Sequence, residues 1–294
     1  MFSGSLVAIV TPMRPDGAID FDAWARLLDF HLANGTAGIV VGGTTGESAT
    51  ITDAELRELA GRACEQVRRR VPVIVGAGTN STATTVERVR WLSELPIDGL
   101  LLVTPSYVRP TQEGLYRHFA AAAAATRVPI VLYNVPTRTA VDMQPATVAR
   151  LSQLPSVVAV KEAVPEMGRV RELVASCREG FAVLSGDDLT AREAILEGAR
   201  GVISVTANVV PRAMADMVAA AAAGNRAEAE RIDASLVPLH RALFLEPNPI
   251  PVKWALSHMG LIPAGIRLPL TELSQTHHAA LTSALQTAGA GAPA

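Results

Sequence analysis

Lysine is almost missing from this sequence. Only Lys161 and Lys253 occur among its 294 residues, and the other 24 of its 26 basic residues are arginine. Arginine keeps its proton at any usable pH and forms no imine, whereas a desolvated lysine amine can lose its proton and attack a carbonyl. A chain that writes its surface charge in arginine keeps its lysines where arginine fails. Lys161 closes the apolar run Val157-Val158-Ala159-Val160, the pattern of a buried strand with an amine at its exit. It is therefore read as a Schiff-base lysine. Cysteine is equally scarce. Cys64 and Cys177 stand far apart and off any metal-ligand spacing, which leaves two reduced thiols and no disulfide framework. Neither sign of charge dominates: the net charge is −2 and the pI about 6.3. That balance excludes electrostatic recruitment of nucleic acid or of an anionic membrane surface. No run is long enough to span a bilayer. The opening MFSGSLVAIVTP lacks a basic stretch and meets prolines early, so it reads as a first strand rather than a signal peptide, and the expected location is the cytoplasm.

What is present is a rhythm. Short apolar runs rich in β-branched residues recur every 20 to 35 residues: Leu6–Val10, Gly38–Val41, Val73–Val75, Gly99–Val103, Ile130–Tyr133, Val157–Val160, Phe181–Leu184 and Gly201–Ser204. Between them lie stretches of helical periodicity, from Phe21–Asn34 to Pro211–Ala223. Eight strand–helix units predict an α/β fold, a (β/α)8 TIM barrel. A doubly wound open sheet is the alternative, but no glycine-rich dinucleotide fingerprint follows the first run. After about residue 224 the strand signals stop. Arg226–Phe244, Pro251–Met259 and Leu270–Leu285 read as helices, which predicts a barrel over 1–224 and a small C-terminal helical domain over 225–294. The runs Ala120–Ala125 and Ala219–Ala223 fit helix interiors. His277-His278 is expected on the exposed side of the last helix. The tail from Gln286, rich in Ala and Gly, is expected to fray.

Polar residues collect after the runs rather than before them, and a barrel of this kind keeps its active site at the C-terminal ends of its strands. Gly42-Gly43-Thr44-Thr45-Gly46-Glu47-Ser48 offers glycines, two hydroxyls and backbone amides facing a helix that starts near Asp53, which suits a small carboxylate. No Gly-Lys-Ser/Thr follows, so it is not a P-loop. Tyrosine is also rare, and two of the three, Tyr107 and Tyr133, stand at strand exits where a phenol can relay protons; Arg138, after a proline turn, suits bidentate binding of a second carboxylate. Asp187-Asp188 has no His or Cys partner at ligand spacing and reads as a turn or helix cap, so no metal is expected.

The strings GTTGES (43–48), TPSYVRP (104–110), YNVPTRT (133–139), VKEA (160–163), LSGDD (184–188), GVISVTANV (201–209) and EPNPIPVKWAL (246–256) resemble those of the dihydrodipicolinate synthase family over nearly the whole chain. The resemblance implies a (β/α)8 barrel with a C-terminal helical domain, a homotetramer built as a dimer of dimers, and no cofactor beyond a covalent pyruvate–lysine imine. It implies that Lys161 forms the imine and that Tyr133 passes protons, linked through Thr44 to a Tyr107 that enters the neighbouring subunit's site. Thr44-Thr45 would hold pyruvate's carboxylate, Arg138 that of L-aspartate 4-semialdehyde, and backbone atoms of Gly186 and Ile203 would line the site. The product would be 4-hydroxy-tetrahydrodipicolinate, on the diaminopimelate route to lysine.

In one respect the sequence departs from relatives that are inhibited by lysine. Ser48, Ala49 and Asn80 match their effector site, but Asp53, Leu56, Thr84 and Ser106 replace its histidines, carboxylate and aromatic wall. Weak or absent lysine inhibition is expected, unless Glu87 compensates. Two other functions share parts of the pattern. A sister aldolase, such as N-acetylneuraminate lyase or a 2-keto sugar-acid aldolase, would use Lys161 and Tyr133 without needing Arg138. A keto-acid sensor would form an adduct without turnover.

Overall fold

The computed structural model describes residues 2–290. Eight parallel strands close into a barrel in strict sequence order: β1 (Gly4–Ala8), β2 (Gly38–Val41), β3 (Val73–Gly76), β4 (Gly99–Val103), β5 (Ile130–Asn134), β6 (Val157–Glu162), β7 (Ala182–Ser185) and β8 (Gly201–Ser204), with β8 pairing back onto β1. Around them lie α1 (Phe21–Ala33), α2 (Asp53–Val67), α3 (Thr82–Leu92), α4 (Gln112–Ala124), α5 (Pro136–Thr139), α6 (Pro145–Ser152), α7 (Met167–Ser176), α8 (Ala191–Leu196) and α9 (Pro211–Ala222). The chain then continues as α10 (Arg226–Ala242), α11 (Ile250–His258) and α12 (His278–Thr287).

Strand periodicity of two divides the core into two layers. Leu6, Val40, Ile74, Leu101, Val131, Ala159, Leu184 and Ile203 point inward and fill the barrel. Their neighbours Val7, Ile39, Val75, Leu102, Leu132, Val160 and Val202 point outward and pack beneath the helices. Phe2 fills the barrel floor: a Cβ on Gly99 would stand 2.7 Å from its ring. Helix starts follow their caps. Asp20 accepts from the Ala23 N–H, and Thr52 forms a capping box with Glu55, which fixes where α2 leaves the 43–48 turn.

The structure moves some predicted boundaries. β1 is Gly4–Ala8 rather than 6–10, because past Ala8 the backbone leaves the ladder and the Val10 N–H goes to the Asn208 side chain. Phe181 falls outside β7, in a turn closed onto the Arg178 carbonyl. The expected single helix over 270–285 is instead one 3-10 turn, Gln275–His277, followed by α12, because the Ser274 N–H is taken by the Glu246 carboxylate. His278 is half-buried rather than exposed, its ring 4.6 Å from that of Trp254. The fraying expected of the tail falls largely on 291–294, outside the described residues. Sequence reading passed over α5, a four-residue helix that carries Arg138.

Candidate active site

Lys161 and Tyr133 meet because of register. β5 pairs with β6 so that Tyr133 lies opposite Lys161 and Asn134 opposite Glu162. Alternation then sends Lys161 and Tyr133 inward and Asn134 and Glu162 outward. Lys161 is 5% exposed and Tyr133 6% exposed, and Nζ lies 4.3 Å from the centre of the phenol ring. Among the described residues Lys253 pairs with Glu47, and no carboxylate pairs with Lys161. The Lys161 amine thus sits buried against an aromatic face.

Gly186 borders the Lys161 side chain. Ile203 is buried in the inner layer. The Gly186 N–H donates to the Glu162 carbonyl at 2.6 Å, and a Cβ there would stand 3.1 Å from both Cγ and Cε of Lys161. A side chain at 186 would press on the lysine's aliphatic stem.

The 43–48 turn is tightly bound. The Gly46 and Ser48 N–H groups both donate to the Gly43 carbonyl, and the Thr11 hydroxyl donates to the Gly46 carbonyl. Thr44 is half-buried and shares a cavity of about 30 Å³ with Tyr133, Ser48, Asp53 and Leu56. Thr45 is buried, and its hydroxyl accepts from the Asn248 amide at 3.0 Å. Arg138 is exposed on α5 and donates to the Asn248 carbonyl at 3.1 Å. Asn248 therefore ties the turn to Arg138. Glu47 has φ +59 and a fully buried carboxylate that takes the Lys253 ammonium on one oxygen and the Arg267 N–H on the other. Arg267 also grips Glu55, whose carboxyl its hydrogen bond holds down at about 2.

Tyr107 is the exception. It is 90% exposed on the loop after β4, with φ +70, and it lines none of the cavity that Thr44 and Tyr133 share. Within one chain it is not brought to the other candidates. Among the described residues no group of three or more His, Cys, Asp or Glu is arranged to hold a metal ion. Asp187 accepts from Thr190, and Asp188 from the Val205 and Thr206 N–H groups, as turn and loop anchors.

Sequence reading gave no role to Asn134, Glu162, Asn248, Glu47 or Arg88. Arg88 pairs with Asp53 at 2.5 Å and lines the cavity beside Thr44. For Asn134 and Glu162 the available signal was an amide or carboxylate at the end of an apolar strand, where burial demands a partner.

Comparison with known proteins shows the family. The model of the dihydrodipicolinate synthetase family matches residues 1–288. This chain belongs to the dihydrodipicolinate synthetase family. It is 54% identical over 289 residues to the 4-hydroxy-tetrahydrodipicolinate synthase of Alkalilimnicola ehrlichii, covering 98% of this chain and 99% of that one. It is 51% identical, with the same coverage, to the synthase of Pseudomonas aeruginosa. Among solved structures, the chloride-inhibited dihydrodipicolinate synthase of Acinetobacter baumannii, complexed with pyruvate, superposes with a TM-score of 0.97 at 44% identity, covering 99% of this chain and 100% of that one. A monomeric dihydrodipicolinate synthase variant superposes at 0.96 with 42% identity, covering 98% and 97%. The barrel and the helices that follow it are those of this family.

Proposed function

We propose that this chain is a 4-hydroxy-tetrahydrodipicolinate synthase that condenses pyruvate with L-aspartate 4-semialdehyde. The observation that carries the reading is the register pair: Lys161 and Tyr133 side by side on β5 and β6, buried, with the amine free of any carboxylate. In this reading the Lys161 amine attacks the pyruvate ketone and water leaves as the imine forms. The protonated imine draws electrons from the pyruvate methyl, which loses a proton to give the enamine. The enamine carbon attacks the aldehyde of the second substrate, and the substrate's own amine then closes the ring and releases Lys161. Tyr133 is the acid and base for these transfers.

The pyruvate carboxylate goes to Thr44 and Thr45, in a turn held by Lys253 and Asn248. Arg138 takes the carboxylate of the semialdehyde, and Gly186 and Ile203 line the pocket. Tyr107, exposed with its strained backbone, is assigned to a second copy's proton relay in a homotetramer built as a dimer of dimers. The covalent imine is the only prosthetic chemistry in the scheme. No helix is long and apolar enough to cross a membrane, and the cytoplasm is the location we assign. The division into a catalytic barrel, 1–224, and a helical domain, 225–294, belongs to the same reading.

The test is product formation. Supplied with pyruvate and L-aspartate 4-semialdehyde, the protein should yield the six-membered cyclic product by mass spectrometry. Arg138→Ala should raise KM for the semialdehyde about 30- to 100-fold, the worth of a charged hydrogen-bond pair, with little change for pyruvate. Unchanged kinetics in that variant, or faster turnover of a sugar acid, would give the function to a sister aldolase.

A further inference from the structure

On the outer face of the barrel, directly behind Lys161 and Tyr133, lies a buried polar chain that the reaction scheme does not use. Asn134 is fully buried and Glu162 2% exposed. They are register partners, one residue beyond the Tyr133–Lys161 pair. The Asn134 amide nitrogen donates to both Glu162 oxygens, at 3.0 and 3.2 Å, and to Asp142 at 2.8 Å, while its oxygen accepts from the Met143 N–H. Glu162 also accepts from the Val164 N–H, on the same Oε1 that takes the shorter Asn134 bond. Asp142 is held in turn by Arg169 of α7 at 2.5 Å and by Gln144. One amide thus bridges two carboxylates, and every bond stiffens the exits of β5 and β6.

We propose that Glu162, acting with Asn134, is a positioning residue that holds Lys161 and Tyr133 in catalytic register from the outer face of the barrel. The inference rests on the reading that those two residues do the chemistry. The alternative, a buried acid placed only for stability, would fasten the strands without any link to turnover. The two differ in how activity responds to ionisation. Glu162 meets Asp142 and Arg169 as its charged neighbours. Its lock uses acceptor oxygens only, so the ionised form completes it, and a proton on either oxygen sets a donor against the Asn134 amide. Burial, opposed by these hydrogen bonds, pushes the carboxyl up to about 7, within the range of an ordinary assay.

The experiment is the pH dependence of kcat for the wild type, Glu162→Gln and Glu162→Ala, together with borohydride trapping of the pyruvate adduct. In the wild type kcat should rise as Glu162 ionises near pH 7. Glu162→Gln sets an NH2 donor where the lock needs an acceptor, as protonation does, so its kcat should stay near the wild type's low-pH level at every pH and the Glu162 limb should vanish. Glu162→Ala removes the lock and should lower kcat about 10- to 100-fold at a pyruvate KM within threefold of wild type, the scale of a small misplacement of reacting groups. A Glu162→Gln profile that superposes on the wild type overturns the inference, and so does a folded Glu162→Ala enzyme with normal kcat. If Glu162→Ala does not fold, the Glu162→Gln profile decides alone. Failure of the wild type to trap pyruvate on Lys161 would overturn the assigned chemistry instead, which separates the two failures.

Discussion

The two lysines of this chain are equally buried, 5% exposed for Lys161 and 4% for Lys253, yet their surroundings are opposites. Lys253 faces a buried carboxylate, Glu47. Burial lowers its pKa, and the ion pair pulls it back toward the charged form. Lys161 faces an aromatic ring and a glycine. An amine with a dedicated counter-charge is a fastener. An amine without one is available for chemistry. Burial alone therefore does not assign a lysine its role; in the proposed reading the one without a carboxylate partner takes the chemistry. In the proposed reading position 161 cannot be arginine, because a guanidinium forms no imine.

The contrast breaks most sharply in substitutions. Lys161→Ala should lower kcat by at least about a thousandfold, while its melting temperature stays near the wild type's because no ion pair is lost. Lys253→Met should do the reverse. It strands Glu47 without its counter-charge and should cost roughly 3–5 kcal/mol in denaturant unfolding. The double variant Lys253→Met/Glu47→Gln should recover much of that loss. Gly186→Ala presses on Lys161 and should slow imine formation about tenfold, an overpacking cost of one to two kcal/mol, with no such effect expected from small substitutions around Lys253.

Stability should also depend on pH through Glu162. Its folded carboxyl holds a proton more tightly than the unfolded one, from the ordinary 4.5 to about 7. That contribution is complete below about pH 4.5 and is lost as pH rises through 7, roughly 3 kcal/mol in all. Urea unfolding of Glu162→Gln should show a flatter profile between pH 5 and 8 than the wild type; parallel profiles would refute the assignment. The smallest effect is expected from L-lysine. Asp53 is already paired with Arg88, and Thr84 and Ser106 offer neither charge nor aromatic surface. Strong inhibition by low-millimolar lysine in a steady-state assay would refute that expectation.

Much of this was legible in the sequence, for identifiable reasons. β2, β4 and β8 have the predicted bounds because each run is short, apolar and bracketed by residues that break it. Part of the proposed site was legible because the barrel gathers strand exits and scarcity marked Lys161 and Tyr133, which the register sets side by side; Tyr107, marked in the same way, is not brought to them within one chain. The remainder depended on contacts between segments distant in sequence. Glu47 and Lys253 are 206 residues apart, and Thr45 and Asn248 are 203 apart; no local pattern pairs them. Glu162 was visible as part of VKEA, but its partner Asn134 lies on the neighbouring strand, and only the register sets them together. The last helix was misjudged because apolar spacing at Leu270 and Leu273 also suits an irregular segment that both residues pack against the core.

Reduction of the protein with borohydride in the presence of pyruvate, followed by peptide mass mapping, tests the central claim most directly. A reduced pyruvate adduct on Lys161 with Lys253 unmodified is the predicted result. An adduct on Lys253, or none at all, would contradict it.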